Sequence, residues 1–384
     1  MGLEQVLRTG KAERVAAESA DSRETGTDDW STVASLGTAR ETPSSFSDGD
    51  GRGYAVGGRE GFSVLSSVER YDPNTDSWST VASLDTARER LSSFSDADGR
   101  GYAIGGLDSD FNTVSSVERY NPDSDSWTTV ASLDTAREQH SSFSDADGRG
   151  YAVGGRNDDE NVLSSVERYD PNTDSWSTVA NIGTARRRLS SFSDGDGRGY
   201  AVGGDDGSTV LSSVERYNPD SDSWTTVASL DTARERLSSF SDADGRGYAI
   251  GGLDSDENVL SSVERYNPDS DSWTTVASLD TAREDHSSFS DADGRGYAVA
   301  GLDSDGNELS SVERFDPDTG VEPAVEVTVD ESAQYFIQSS EASPEIRNLS
   351  KEITQTERIS AENNDTIQAV NLSDTEDYQI YKIN

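Results

Sequence analysis

The chain has no cysteine among its 384 residues and only three lysines, Lys11, Lys351 and Lys382. Without a thiol, disulfides, thiolate catalysis and cysteine-based zinc sites are excluded, and the redox state of its compartment stays undetermined. The other basic side chains are arginines and two histidines, His140 and His286. No catalytic residue, metal or cofactor is predicted, because no Ser-His-Asp spacing or metal-ligand cluster can be assigned.

Long apolar runs are also missing. No eighteen apolar residues follow one another, and the first thirty residues contain no apolar segment of the length that a secretory signal needs. We therefore expect a cytoplasmic protein with no membrane partner. Secretion remains the alternative, which a different N-terminus would allow.

Positive charge is scarce throughout. Aspartate and glutamate number 74 against 32 lysines and arginines, a formal net charge of -42. We therefore expect no nucleic-acid partner, because the phosphate backbone is bound by basic surfaces. An acid excess with so little lysine is similar to haloarchaeal proteins, whose self-repulsion is screened by concentrated salt. The alternative is an acidic domain adapted to low salt.

What the chain does contain is a repeat. Tryptophan recurs at intervals of 48 or 49 residues, at Trp30, Trp78, Trp127, Trp176, Trp224 and Trp273. A period of about fifty residues predicts a repeat fold such as a propeller. Each unit has four short β-like segments, which in residues 91–133 are SSFSD, GYAIGG, SVERY and WTTVASL. Turn residues separate them, so each unit predicts a four-stranded antiparallel sheet.

In such a sheet, successive connections alternate between the two ends. The first-to-second and third-to-fourth turns share one side, here called the hairpin face. The second-to-third and fourth-to-first loops share the other side, here called the loop face. The first-to-second turn repeats Asp-x-Asp-Gly in every unit, as at Asp96 and Asp98. We assign it to hairpin chemistry rather than calcium, because a calcium loop needs a further bidentate acid.

Three marks recur along the repeat: a glycine pair after the second segment, Tyr-Asp-Pro or Tyr-Asn-Pro after the third, and the tryptophan of the fourth. With these marks, residues 29 to 318 resemble the kelch repeat. The last unit departs at Ala300-Gly301, where the others have two glycines, and at Phe315, where they have tyrosine. The resemblance implies an all-β, six-bladed kelch β-propeller.

The first and last units are incomplete and complement each other. Residues 30–35 form a fourth strand without the other three, and the last unit stops after its third. We expect the N-terminal strand to complete the last blade, which removes an open sheet edge. The predicted domains are a polar N-terminal extension over 1–28, the propeller over 29–319, and a C-terminal extension over 320–384. This extension is either a small β appendage or mobile, with β-like runs at 325–329, 335–338 and 378–383.

The ring also contains a duplication. Residues 85–110 are identical to 231–256, and 115–138 are identical to 261–284, each pair offset by 146. Three blades have therefore been copied as a unit, and a pseudo-twofold axis is expected along the channel.

The loop face is the predicted binding surface, because its second-to-third loops vary in length and sequence on an otherwise constant scaffold. Its fourth-to-first loops each carry Thr-Ala-Arg, whose arginines we expect to neutralise nearby acids such as Glu118 or Asp108. Three further arginines, Arg90, Arg188 and Arg236, vary between copies. In several kelch propellers, arginines at these positions bind the carboxylates of acidic peptides. The equally supported alternative is that these three arginines neutralise acidic side chains of the propeller itself.

The predicted function is a non-catalytic binding or scaffold module, acting as a monomer on a protein segment, acidic by the kelch resemblance, or on a small polar ligand. The alternatives are a carbohydrate-active enzyme of epimerase or mutarotase type and a secreted adhesion module. For both histidines, packing is the favoured interpretation. The predicted ligand- or partner-binding residues are Arg90, Gln139, His140, Arg188, Arg236, Asp285 and His286.

The salt hypothesis gives the first test. We expect circular dichroism to show a β signal in molar KCl that is lost as the salt is diluted, because the Debye length grows from about 3 Å at 1 M to about 30 Å at 0.01 M. Sucrose added at low salt serves as a control for non-specific stabilisation. Unchanged folding at low KCl would end the halophile hypothesis.

Overall fold

The structure is a computed structural model, which describes residues 28–317, 325–327 and 378–380. The chain divides into two units, of which one is Asp28–Pro317. This unit contains six four-stranded antiparallel sheets. In the other unit, Val325–Val327 pairs antiparallel with Tyr378–Ile380, while the predicted run at 335–338 lies outside the described residues. The described part of the chain has no helix with the length and apolar character to span a bilayer.

The six sheets are the blades of the propeller, and each has its strands in meander order. From first to fourth strand they are Ser44–Ser47, Gly53–Val56, Val68–Asp72 and Ser77–Val81 (blade 1); Ser92–Ser95, Gly101–Ile104, Val117–Asn121 and Ser126–Val130 (blade 2); Ser141–Ser144, Gly150–Val153, Val166–Asp170 and Ser175–Val179 (blade 3); Ser190–Ser193, Gly199–Val202, Val214–Asn218 and Ser223–Val227 (blade 4); Ser238–Ser241, Gly247–Ile250, Val263–Asn267 and Ser272–Val276 (blade 5); and Ser287–Ser290, Gly296–Val299, Val312–Asp316 and Asp29–Val33 (blade 6). A short hairpin, Arg59–Glu60 with Ser63–Val64, extends the second-to-third loop of blade 1.

The first strands line a central channel and join through serine hydroxyls. At five of the six blade junctions, a serine shares a hydrogen bond with a serine of the neighbouring first strand: Ser44–Ser93 (2.6 Å), Ser92–Ser142 (2.6 Å), Ser190–Ser239 (2.7 Å), Ser238–Ser288 (2.5 Å) and Ser45–Ser287 (2.6 Å). The small side chain explains why serine recurs here, since six strands converge on one axis.

The core lies between blades rather than within one. At the junction of blades 1 and 2, Phe46 stacks on Tyr54 with centroids 4.6 Å apart and meets Trp127 edge-on at 6.4 Å. Gly101 begins the second strand because a Cβ there would lie 2.1 Å from the Phe46 ring. Similar clusters of buried residues fill the other junctions. Aromatic pairs of this kind add about 0.5–1.5 kcal/mol beyond the burial of their area.

Each tryptophan also ties its blade to the preceding one by hydrogen bonds. The Trp78 indole N–H donates to the Ala34 carbonyl (2.9 Å), and the Ala34 amide donates to the Asp76 carboxylate (2.8 Å). Tyr71 donates its hydroxyl proton to the same Asp76 oxygen (2.9 Å). The indole therefore serves as a wedge and as a polar link.

The N-terminal strand closes the ring as the sequence predicts. Asp29–Val33 pairs with Val312–Asp316, with Trp30 opposite Phe315, and the Trp30 indole donates to the Ala277 carbonyl at 2.9 Å. Phe315 has no hydroxyl to offer Asp28, which forms an ion pair with Arg265 at 2.9 Å. The departure at Phe315 therefore leaves the blade architecture intact.

The glycine pairs mark a place where the backbone must be left-handed. Gly154 has φ +63°, and a Cβ there would lie 2.4 Å from the Arg186 carbonyl oxygen. Ala300, related to Gly154 by the 146-residue offset, holds φ 62° with a side chain. Left-handed geometry costs an L-residue about 1–2 kcal/mol.

The pair Gly154 and Ala300 supports a reciprocal test. Gly154→Ala should lower the free energy of unfolding by at least about 2 kcal/mol, from strain and the carbonyl clash. Ala300→Gly should stay within about 1 kcal/mol of the parent, because strain relief is offset by loss of a buried methyl and by chain entropy. Equilibrium denaturation in molar KCl measures both. A Gly154→Ala protein as stable as the parent would contradict this account of the glycine pair.

Candidate functional site

Each Thr-Ala-Arg arginine is buried under the loop face in an ion pair with a glutamate of the third strand. Arg88 is 0% exposed, and its guanidinium donates to Glu118 and to the carbonyls of Gly105 and Ser116. Glu118 also accepts the Asp85 amide. The six pairs are Arg40–Glu69 (2.6 Å), Arg88–Glu118 (2.6 Å), Arg137–Glu167 (2.5 Å), Arg186–Glu215 (2.8 Å), Arg234–Glu264 (2.6 Å) and Arg283–Glu313 (2.5 Å).

These contacts confirm that Arg88 neutralises Glu118. Asp108, the other acid named as a candidate partner, instead accepts hydrogen bonds from Asn112 and the Asp110 amide within its own loop. The Thr-Ala-Arg arginines are therefore anchors of the fourth-to-first loops. None of them is presented to a partner.

Two residues after each anchor, the chain forms a closed ring around the channel mouth. Its six members share a left-handed backbone, with φ between 48° and 53°. Each donates its amide N–H to the carbonyl of the member in the preceding blade: Thr42 to Asp285 (2.8 Å), Arg90 to Thr42 (3.3 Å), Gln139 to Arg90 (3.0 Å), Arg188 to Gln139 (2.8 Å), Arg236 to Arg188 (2.9 Å) and Asp285 to Arg236 (3.1 Å). We call these six residues the mouth ring.

The mouth ring contains five of the seven predicted site residues: Arg90, Gln139, Arg188, Arg236 and Asp285. Together with the two histidines and the first-strand serines, it lines a cavity of ≈ 160 Å³. Pockets that enclose small-molecule ligands usually measure about 300–1,000 Å³. The channel is therefore small for a ligand of ordinary size.

The three ring arginines already have acidic neighbours. Arg90 lies 3.3 Å from Glu138, Arg188 3.2 Å from Glu235, and Arg236 2.8 Å from Glu284, always in the next blade. These glutamate side chains are only 2–13% exposed, so each needs a compensating charge.

Where the mouth ring has no arginine, the acidic side chain of the next blade is compensated by another residue or is replaced by an arginine. Arg59 forms ion pairs with both Glu41 and Glu89, and in the blade after Gln139 the position equivalent to Glu138 holds Arg187, itself 3.0 Å from Asp205. The variation of the ring therefore follows the charge of the neighbouring blade. A role for Arg90, Arg188 and Arg236 in binding a partner's carboxylates stays a prediction.

Both predicted histidines pack inside the loop face. His140 and His286 are 5% and 6% exposed, and burial is the main reason that their pKa values lie well below the usual range. His140 lies against Gly105, where an added Cβ would come within 2.8 Å of its ring. Both side chains therefore pack as largely uncharged imidazoles, and their role in binding a ligand or partner stays a prediction. Within residues 28–317, no group of three or more acidic or histidine side chains could hold a metal ion.

On the hairpin face, the repeated turn aspartate is fully used by the turn. Asp48 accepts the amides of Asp50 and Arg52 at 3.0 Å, the Arg52 Nε–H at 2.8 Å and the Tyr54 hydroxyl at 2.7 Å. The same amide and tyrosine contacts recur in the other five turns. This geometry is ordinary hairpin chemistry.

Sequence reasoning missed two residues on the loop face. Phe62 is fully exposed and Phe111 is 64% exposed, and they are the only large hydrophobic side chains so exposed in the described chain. They lie in the second-to-third loops of neighbouring blades 1 and 2. A signal was available, because both phenylalanines fall outside the SSFS segment of each unit and the VERF segment of the last one.

Asp285 gives a pH test of the mouth ring. Burial, aided by Glu284, raises the pKa of its carboxyl to about 6, although Arg236 opposes the shift. A raised pKa means that the folded state favours the protonated Asp285 carboxyl. Its stabilising contribution to the free energy of unfolding is therefore present at low pH and lost as the pH rises from about 4 through 6. The free energy of unfolding of Asp285→Asn should therefore rise relative to that of the parent as the pH increases from 4 to 7, because asparagine does not ionise.

Asp206 is the matched control for this pH test. Hydrogen bonds from Ser208 and Thr209 lower its pKa to about 2, so Asp206→Asn should differ from the parent by a constant amount above pH 5. Equal pH dependence of Asp285→Asn and the parent would show that Asp285 ionises normally.

The fold and its repeats can be compared with known proteins. The family model described as "KLHDC2/KLHL20/DRC7 Kelch-repeats domain" matches residues 93–301, and the "Kelch motif" model matches residues 50–84. A solved structure titled "Structure of YjhT" is similar with a TM-score of 0.64 and 15% identity, covering 78% of this chain and 99% of that chain. No curated protein matches the chain. With more than half of its length matched, the chain belongs to the kelch-repeat family.

Proposed function

We propose that this propeller is a non-catalytic binding module that recognises a segment of another protein on its loop face. The observation that carries the proposal is the difference between the faces. The Asp-x-Asp-Gly turns of the hairpin face keep the same contacts in all six blades. The loop face instead carries loops that differ between blades on anchors that do not. Variable loops on a rigid scaffold are where proteins usually bind their partners.

The size of the channel supports a surface rather than an enclosed site. The cavity of ≈ 160 Å³ lies below the usual range for pockets that enclose a small-molecule substrate. The ring arginines are also engaged by glutamates, which lessens their availability for a substrate carboxylate. The epimerase or mutarotase alternative therefore draws less support than a docking surface does.

The absence of cysteine allows each face to be blocked separately. Asp110→Cys and Asp123→Cys place one thiol on the loop face and one on the hairpin face of blade 2, and Asp256→Cys places one at the position of blade 5 related to Asp110 by the 146-residue offset. Each variant of the full chain is labelled with a large polyethylene glycol maleimide. It then serves as bait in an extract of the source cells in molar KCl.

Labelling at Asp110→Cys, at Asp256→Cys or at both should remove captured proteins that the unlabelled bait retains, because each polymer covers the part of the loop face around its own blade. Labelling at Asp123→Cys should leave capture intact. Loss of partners only with the hairpin-face label would overturn the proposal. Turnover by the unlabelled protein in a panel of sugar acids would instead favour the enzyme.

A further inference from the structure

Two exposed aromatic side chains stand out on a face that is otherwise polar. Phe62 and Phe111 occupy corresponding loops of adjacent blades, and no other large hydrophobic side chain of the described residues is as exposed. Isolated apolar residues on a surface need no explanation, but aromatic residues are enriched at protein interfaces. The duplicated halves of the chain show whether the scaffold needs these two.

The halves of the propeller differ at both positions. With the offset of 146, Phe62 corresponds to Ser208 and Phe111 to Glu257, in blades 4 and 5. The segments that precede Phe111 and Glu257, 85–110 and 231–256, are identical. The same scaffold therefore folds with serine and glutamate in place of the two phenylalanines. Packing gives no reason for the aromatic residues in blades 1 and 2.

The backbone gives no reason for Phe111 either. Its φ is 61°, a left-handed conformation that costs an L-residue about 1–2 kcal/mol. The equivalent positions are also left-handed and hold Glu160, Glu257 and Gly306, with φ 62°, 63° and 75°. The left-handed backbone therefore belongs to the loop position, and what is particular to blade 2 is an exposed aromatic ring where the other blades hold glutamate or glycine.

The surrounding charge defines the partner. The six second-to-third loops, which span residues 59–65, 107–114, 156–163, 205–211, 253–260 and 302–309, carry fourteen acidic residues and two arginines. Both arginines, Arg59 and Arg156, form ion pairs with the glutamates Glu41 and Glu138. The loops therefore present net negative charge, which favours lysine and arginine in a partner.

The same negative charge argues against two other occupants of this surface, a second copy of the chain and the chain's own C-terminal segment. The whole chain carries a net charge of -42, and residues 318–384 contain many more acidic than basic residues. Like charges brought together in an interface oppose association.

We infer that Phe62 and Phe111 form one docking site, the aromatic edge, which binds a protein segment carrying an apolar residue flanked by lysine or arginine. The two rings supply the apolar contact, and the acids of the neighbouring loops contact the basic side chains. The inference rests on the proposed function and adds the place on the loop face and the chemistry of the partner.

The test uses a library of random peptides displayed on phage, selected against the full chain in molar KCl. Selected peptides should be enriched in apolar residues next to lysine or arginine. Fluorescence anisotropy then measures one selected peptide, made synthetically, on the parent and on Phe62→Ser/Phe111→Glu. The double variant carries the residues found at 208 and 257, and its dissociation constant should rise about tenfold or more.

The chain offers a reverse control. Ser208→Phe/Glu257→Phe builds the same pair in blades 4 and 5, and it should bind the peptide with two sites in place of one. Thermal unfolding of both double variants checks the fold, which we expect to be retained because both residue pairs already occur in this scaffold.

Peptides that are acidic, a library that yields no binder, or equal affinity of parent and Phe62→Ser/Phe111→Glu would each overturn the aromatic edge. The face-blocking experiment shows whether the aromatic edge fails while the proposed function of the loop face holds. In that case the Asp256→Cys label removes captured partners, the Asp110→Cys label does not, and the loop face remains the binding surface.

Discussion

The loop face depends on one buried ion pair repeated in every blade. The Arg88 guanidinium, with no exposure, reaches Glu118 at 2.6 Å and two backbone carbonyls, while Glu118 accepts the amides of Asp85 and Thr86. One pair thus fixes the fourth-to-first loop to the third strand. Removing either partner would leave a buried charge uncompensated, a loss of about 3–5 kcal/mol. The mouth ring begins two residues after this anchor, so its geometry depends on the pair.

The mouth ring then couples neighbouring blades in backbone and in charge. Each ring amide donates to the ring carbonyl of the preceding blade, a circle without a free end. In three places an arginine of one blade compensates a poorly exposed glutamate of the next. A substitution at one ring position therefore changes the electrostatics of its neighbour. This explains how side chains at the mouth can vary between blades without being ligands.

The sequence predicts well whatever recurs in register and predicts poorly whatever joins non-equivalent positions. The tryptophan period, the incomplete end units and the Arg88–Glu118 partnership were all accessible, because each is repeated or fixed by the meander. The pairing of Arg90 with Glu138 was not, since it joins two different loop positions in adjacent blades. The left-handed ring was also hidden, because threonine, arginine, glutamine and aspartate share no residue preference that would reveal it. Phe62 and Phe111 each occur in a single second-to-third loop, so they belong to no recurring pattern, and only their aromatic type distinguishes them.

The duplication separates what folds the ring from what distinguishes one side of it. Long stretches of the halves are identical, and several exchanges outside the loop face are conservative, such as Thr75 for Ser221. The exchanges that alter chemistry most are on the loop face, where Arg59 corresponds to Asp205, Phe62 to Ser208 and Phe111 to Glu257. The first of these is compensated, because Glu41 beside Arg59 becomes Arg187 beside Asp205. The aromatic exchanges have no such compensation within the described chain. Internal packing accounts for the charge exchange, whereas no contact within the described residues accounts for the phenylalanines, and this difference is the basis of our proposal that they contact another molecule.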